Sequence, residues 1–215
     1  MTSTGLERIR REAEPYLYAA FVSIRTAVQL LEKHPLRSAQ AMDGFWTFIE
    51  QYYDHIASYT GFSCKKGCGA CCKDNPHGIS GIEFERILSV TKTRTDAEEL
   101  KSTLADMSMR YQRLKANDPN PQIAWKRKGI HCIFYKEGSC SIYDVRPLAC
   151  RSFFALTPAP LCDTNHPNHE DSQNPQFVGS QEFHQTLLDF SAKRGLTLPD
   201  DLISGLNELW NRRRK

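Results

Sequence analysis

The chain has 215 residues, of which 40% are apolar and 25% charged, with a formal charge of +3. That length can bury a real core without covalent staples, and so slight a positive charge gives no argument for a nucleic-acid partner. No apolar run approaches the ~20 residues needed to cross a bilayer, and the polar first 14 residues lack the apolar stretch of a secretory signal. The sequence therefore predicts a cytoplasmic protein without a membrane partner.

From the N-terminus, Leu17, Ala20, Phe21, Ile24, Val28 and Leu31 recur at three- and four-residue spacing, which predicts a helix over residues 15–33. Pro15 suits a first-turn position, so residues 5–14 read as a separate short helix or a frayed arm. A second helix over 38–58 would bury Met42, Phe45, Phe48, Ile49, Tyr52 and Ile56, forming an antiparallel hairpin with the first. Residues 61–79 are Gly-rich and non-periodic. Ser80-Gly81-Ile82-Glu83 is a capping-box pattern that opens a short helix, and Thr95-Asp96-Ala97-Glu98 opens another through Leu100, Leu104, Met107, Tyr111 and Leu114. A polar linker (115–122) follows. Residues 132–135 and 139–143, separated by Lys136-Glu137-Gly138, read as a β-hairpin. Residues 157–179 lack periodicity and need something to pin them, for which Cys162 is suited. Two helices, about 180–193 and 199–210, close the chain.

All eight cysteines lie between Cys64 and Cys162. In a reducing compartment such crowding favours metal ligation over four disulfides. Thiolates bind zinc, copper(I) and iron–sulfur clusters, commonly four to a site, so eight fit two sites or one binuclear site. Gly67 and Gly69 let the loop carrying Cys64, Cys68 and Cys71 curl around a metal. Cys71 and Cys72 are adjacent and their side chains tend to diverge, so they would serve different sites or bridge two metals, with Cys72 linking the first cluster to the hairpin. Cys132, Cys140, Cys150 and Cys162 supply the remaining ligands. Lys65, Lys66, Lys73, Arg146 and Arg151 neighbour the cysteines and could offset thiolate charge, with Arg146 and Arg151 the best placed to support the centre. His77, His131, His166 and His169 are weaker ligand candidates, better explained as surface residues.

The string Cys64-x3-Cys68-Gly69-x-Cys71-Cys72, then Cys132-Ile133-Phe134, then Gly138-Ser139-Cys140-Ser141-Ile142-Tyr143-x2-Arg146-Pro147-x2-Cys150-Arg151 resembles the YkgJ-type cysteine-cluster family. The resemblance covers about residues 60–165 and implies zinc or iron chelation. The family also resembles the cysteine-rich part of the flagellin lysine methylases, which implies an iron–sulfur cluster. Methyl transfer is poorly supported, because no G-x-G loop that would cradle S-adenosylmethionine is present.

The expected architecture is mainly α: a single helical domain with a small β-hairpin, built around a cysteine-rich metal centre. Its parts are an N-terminal helical hairpin (1–60), the metal-binding region (61–165), and a C-terminal loop with a helical pair (166–215). The expected function is chelation of zinc or iron by the eight cysteines, with a metal ion as partner. One alternative is an iron–sulfur-dependent protein-modifying enzyme such as a lysine N-methylase, using S-adenosylmethionine on a protein substrate. Another is a zinc-stabilised interaction module presenting Arg212, Arg213, Arg214 and Lys215 to an acidic partner. No hydrolase or P-loop motif is present. Any catalysis belongs near Phe134, Tyr143 and Phe153, which otherwise read as core packing.

Overall fold

The computed structural model describes residues 3–64, 67–163, 165–177 and 179–212. It is mainly α-helical, with one two-stranded antiparallel hairpin among the described residues. The chain divides into two compact units. One comprises Met1–Phe62 with Phe177–Gly195, the other Ser63–Gln176 with Leu196–Lys215.

The first unit is a three-helix assembly of α1 (Ser3–Leu30), α2 (Pro35–Ala57) and α7 (Gln181–Lys193). Pro15 lies inside α1 rather than at its start. One proline removes one backbone donor, and here the helix continues through it, so residues 5–14 are no separate arm. Pro35 occupies the first turn of α2, where its missing N–H leaves no donor unpaired. The α1 stripe is built largely from Ala13, Ala20 and Ala27 with Ile24, all fully buried, and small side chains let a partner helix approach closely. Phe45 and Ile49 of α2 and Phe183, Leu187 and Phe190 of α7 complete this core. Ser180 caps α7 by accepting from the Phe183 N–H. No cysteine belongs to this unit.

The second unit packs α3 (Gly81–Thr91), α4 (Ala97–Asn117), α5 (Pro121–Arg127), α6 (Leu148–Arg151) and α8 (Leu202–Asn211) beside the hairpin of β1 (Tyr135–Lys136) and β2 (Ser139–Cys140). Helix α5 falls partly in the segment expected to be linker. Its Trp125 is fully buried and meets the Tyr111 ring edge-on at 5.4 Å, which holds this short helix against α4. In α3 the expected capping box is formed, with Glu83 closing back on Ser80. Helix α8 is capped by buried Asp201, which accepts from the Ser204 N–H. The same carboxylate receives Asn75 at 3.0 Å and Lys115 at 2.8 Å, tying the loop after the first cysteines to α4 and α8.

The long segment 157–179 is organised by short 3-10 turns at Ala159–Cys162 and His169–Asp171. It is pinned further by the Leu156 N–H to Gln173 carbonyl bond and by the Phe153–Gln176 bridge. No described helix is long and apolar enough to cross a membrane.

Candidate metal centre

All eight cysteines fall in the second unit, on four separate stretches of chain. Backbone bonds gather these stretches. Ser63 donates to the Ala155 carbonyl and Ala155 donates to the Cys64 sulfur at 3.1 Å, so the first loop lies against the segment after α6. Gly69 adopts a left-handed φ of 61° and opens the 3-10 turn Ala70–Lys73 that carries Cys71 and Cys72. The Tyr135 ring covers Gly69 so closely that a Cβ there would lie 2.3 Å from ring carbon Cε2. The Cys132 N–H donates to the Cys72 carbonyl, joining the first cluster to the hairpin through the backbone.

The hairpin register pairs Tyr135 with Cys140. Cys150 lies on α6, whose first N–H, from Leu148, donates to Glu83 Oε1 at 2.7 Å. Thus one buried carboxylate caps α3 with one oxygen and starts the Cys150 helix with the other. Cys162, the one buried cysteine, ends its 3-10 turn 3.5 Å from Asn174 Oδ1. An ion pair between Lys73 and Asp163 fastens the Cys162 turn to the Cys71–Cys72 turn, and Lys73 holds the Asp163 carboxyl below its ordinary pKa.

The thiols sense one another. Burial pushes Cys64 up to about 11, with Cys68, Cys71 and Cys162 adding to the rise. Burial pushes Cys132 up to about 12, with Cys140 and Cys71 contributing. Cys150 is raised well above the usual thiol value by burial and then by Cys132, Cys71 and Cys140. Cys162 is raised by burial, then by Cys68 and Cys71. Cys140 is likewise raised by burial, with Arg146 opposing and Cys71 reinforcing. Cys64, Cys68 and Cys162 thus form one triad of thiols that act on one another electrostatically, and Cys132, Cys140 and Cys150 form a second. Cys71 acts on members of both. Its own thiol is raised, first by the neighbouring Cys72 side chain and then by burial.

Positive charge accompanies the second triad. Arg146 opposes the rise at Cys71, Cys140 and Cys150, and its guanidinium stacks on the Tyr143 ring with 3.7 Å to the centroid. Buried Arg151 acts on Cys140 while donating to the Arg146 and Asp144 carbonyls. Lys126 acts on Cys162. Lys65, Lys66 and residues 213–215 lie outside the described residues.

The histidines have other partners. His77 meets the Tyr111 hydroxyl at 2.8 Å, His131 stacks on Tyr135 with centroids 4.6 Å apart, the His166 ring accepts from the Asn168 N–H, and His169 bonds the Leu161 carbonyl. Phe134 is core, whereas Tyr143 is exposed beneath Arg146. Glu83 and Tyr135 escaped the sequence reading as parts of the centre. The capping box announces Glu83 as a helix cap, but nothing local signals its second bond to Leu148.

Soft thiol donors, raised chiefly by burial and then by one another, form a donor set that fits a thiophilic cation, since its charge would favour their thiolates. Among the described residues no three side chains stand already poised around a single ion. A family model, CxxCxxCC, "Putative zinc- or iron-chelating domain", matches residues 63–176. The family's name has two residues between its first cysteines, whereas this chain has three between Cys64 and Cys68. No curated protein and no solved structure matches the chain.

Proposed function

Since the chain belongs to the CxxCxxCC family, we propose that its eight cysteines chelate zinc or iron in two neighbouring sites. Cys64, Cys68 and Cys162 provide three thiolates of one site, and Cys132, Cys140 and Cys150 three of the other. Cys71 and Cys72 complete them, one to each. The observation that carries this reading is the family match over the cysteine-bearing segment, and the partition follows the two triads of thiols that raise one another, with Cys71 acting on both. Each site then reaches the four thiolates that close a tetrahedral structural centre. Metal binding would displace the thiol protons and draw each triad inward. Arg146, Arg151 and Lys126 offset the excess negative charge of eight thiolates around two cations.

The test is elemental analysis with a visible spectrum on the full chain purified without oxygen. We expect about two metal ions per chain. Zinc would leave the protein colourless. Iron with matching labile sulfide and brown absorption would favour the iron–sulfur reading, and S-adenosylmethionine binding would be measured next. Eight titratable thiols with no metal after gentle purification would overturn the proposal.

A further inference from the structure

Helices α4 and α8 flank an open groove of 440 Å³ within the second unit. Its lining is polar, and none of the described residues that line it is aromatic. The floor is fixed by hydrogen bonds. Buried Ser204 receives the Gln112 side-chain amide at 3.0 Å, and its own N–H donates to Asp201 at 2.8 Å. Gln112 is thereby held with its Oε1 oxygen unpaired among the described residues. On α8, Asn211 Nδ2 donates to the Asn207 carbonyl at 2.9 Å and to Asn207 Oδ1 at 3.2 Å. The pair is left with one donor group, Asn207 Nδ2, and one acceptor, Asn211 Oδ1, that meet no other group among the described residues. The two charged residues of the lining, Glu208 and Arg212, pair with each other at 2.7 Å.

We propose that this groove binds an extended polypeptide segment through its main chain. One donor beside one acceptor is what a single residue of extended chain requires, because its N–H and C=O point to the same edge. The spacing fits as well. Asn207 and Asn211 stand about 6 Å apart along α8, and an extended chain returns to the same edge every ~6.6–6.8 Å. Gln112, on the opposite wall, offers its oxygen to an N–H of the other edge. A nucleic acid would need unpaired cations against its phosphates, and an acyl chain would need apolar walls. The groups are held in place before a ligand arrives, which lowers the ordering cost of binding. No cysteine lines the groove, so the site is independent of the metal reading.

The full chain, isotope-labelled for proton–nitrogen correlation spectra, is titrated with a blocked hexapeptide of alternating threonine and serine, a composition that favours the extended chain. Saturable shifts of the Asn207, Asn211 and Gln112 side-chain amides are expected. The same peptide methylated at every backbone nitrogen keeps its side chains and loses its donors, and should bind about tenfold more weakly. Asn207→Ala and Asn211→Ala should each weaken the unmethylated peptide by about two- to tenfold. Alanine favours the helix, so resonances away from the groove should stay in place. Absence of saturable shifts would overturn the site, as would equal binding of the methylated peptide or unchanged binding by both variants. Shifts produced by maltose or oligothymidylate in place of the peptide would overturn it too.

Discussion

At the scale of single residues, the sharpest dependence is on Gly69. Its φ of 61° is a conformation that costs an L-residue about 1–2 kcal/mol, and Tyr135 fills the space a side chain would need. Gly78 separates the two causes, since its φ of 75° is also left-handed but nothing lies within 4 Å of the added carbon. We expect Gly78→Ala to lose about 1 kcal/mol in urea denaturation, and Gly69→Ala roughly 1–3 kcal/mol more, with reduced metal content. Equal losses would show that the Tyr135 ring moves aside freely. Asp201 supplies a pH signature. Burial alone would raise its carboxyl, but the bonds from Lys115, Asn75 and Ser204 outweigh that and leave it below its ordinary value. A depressed carboxyl stabilises the fold fully above its unfolded pKa, near 3.9, and loses that contribution as pH falls through the folded value. Asp201→Asn keeps a capping oxygen but loses the charge facing Lys115. It should cost about 1–3 kcal/mol at pH 7, and the gap to the unchanged protein should close below about pH 4. A gap independent of pH would mean that the pair with Lys115 contributes nothing. The eight cysteines were legible in the sequence because residue type alone announces their chemistry. Which thiols act on which was not, because Cys162 bears on Cys64 across about a hundred residues of chain with no local signature.

The hairpin β1–β2 is the element where local chemistry and local conformation disagree. Its register leaves Glu137-Gly138 as a two-residue loop with φ of 48° and 82°, the signs of a type I′ turn. Glutamate is a poor occupant of the first position, where asparagine adopts the left-handed region at lower cost. Glu137→Asn should therefore stabilise the protein by about 1 kcal/mol, read as a higher denaturation midpoint with unchanged slope. Glu137→Ala, which keeps the Cβ and lacks the amide, should give no gain. If both variants behave alike, side-chain contacts of Glu137 and not backbone strain govern the turn. The periodic helices were legible because α2 and α4 bury stripes long enough to repeat several times. Helix α5 was not. Seven residues give under two turns, and its burial rests on Trp125 alone, so no period could reveal it. The long segment 157–179 had no period either, and its order comes from backbone bonds such as Leu156 to Gln173 and from the Lys73–Asp163 pair.

At the scale of the whole molecule, the distribution of thiols across the two units makes metal removal a selective perturbation. The unit of α1, α2 and α7 contains no cysteine and has a continuous apolar core of Ala20, Ile24, Phe45, Ile49, Phe183 and Phe190. Helix α7 enters that unit and α8 the other, an assignment that two similar amphipathic segments near the C-terminus could not disclose by pattern. In the second unit, helices α3, α4 and α8 have their own core, but the loops bearing Cys64–Cys72, Cys132–Cys140 and Cys162 are held mostly by isolated backbone bonds. Binding free energy at a thiolate site is also folding free energy for the loops that form it. A strong chelator, followed by hydrogen–deuterium exchange, should therefore deprotect residues 63–72, 130–150 and 155–176 most. Protection in α4 and α8 should fall less, and α1 and α2 should keep theirs. The reason is energetic: a helix whose buried stripe is intact opens only by losing that burial, while a loop without periodic contacts opens when its cross-link is withdrawn. Uniform deprotection of both units would mean that the metal governs the stability of the entire chain. No change anywhere would mean that the cysteine loops hold their positions without it.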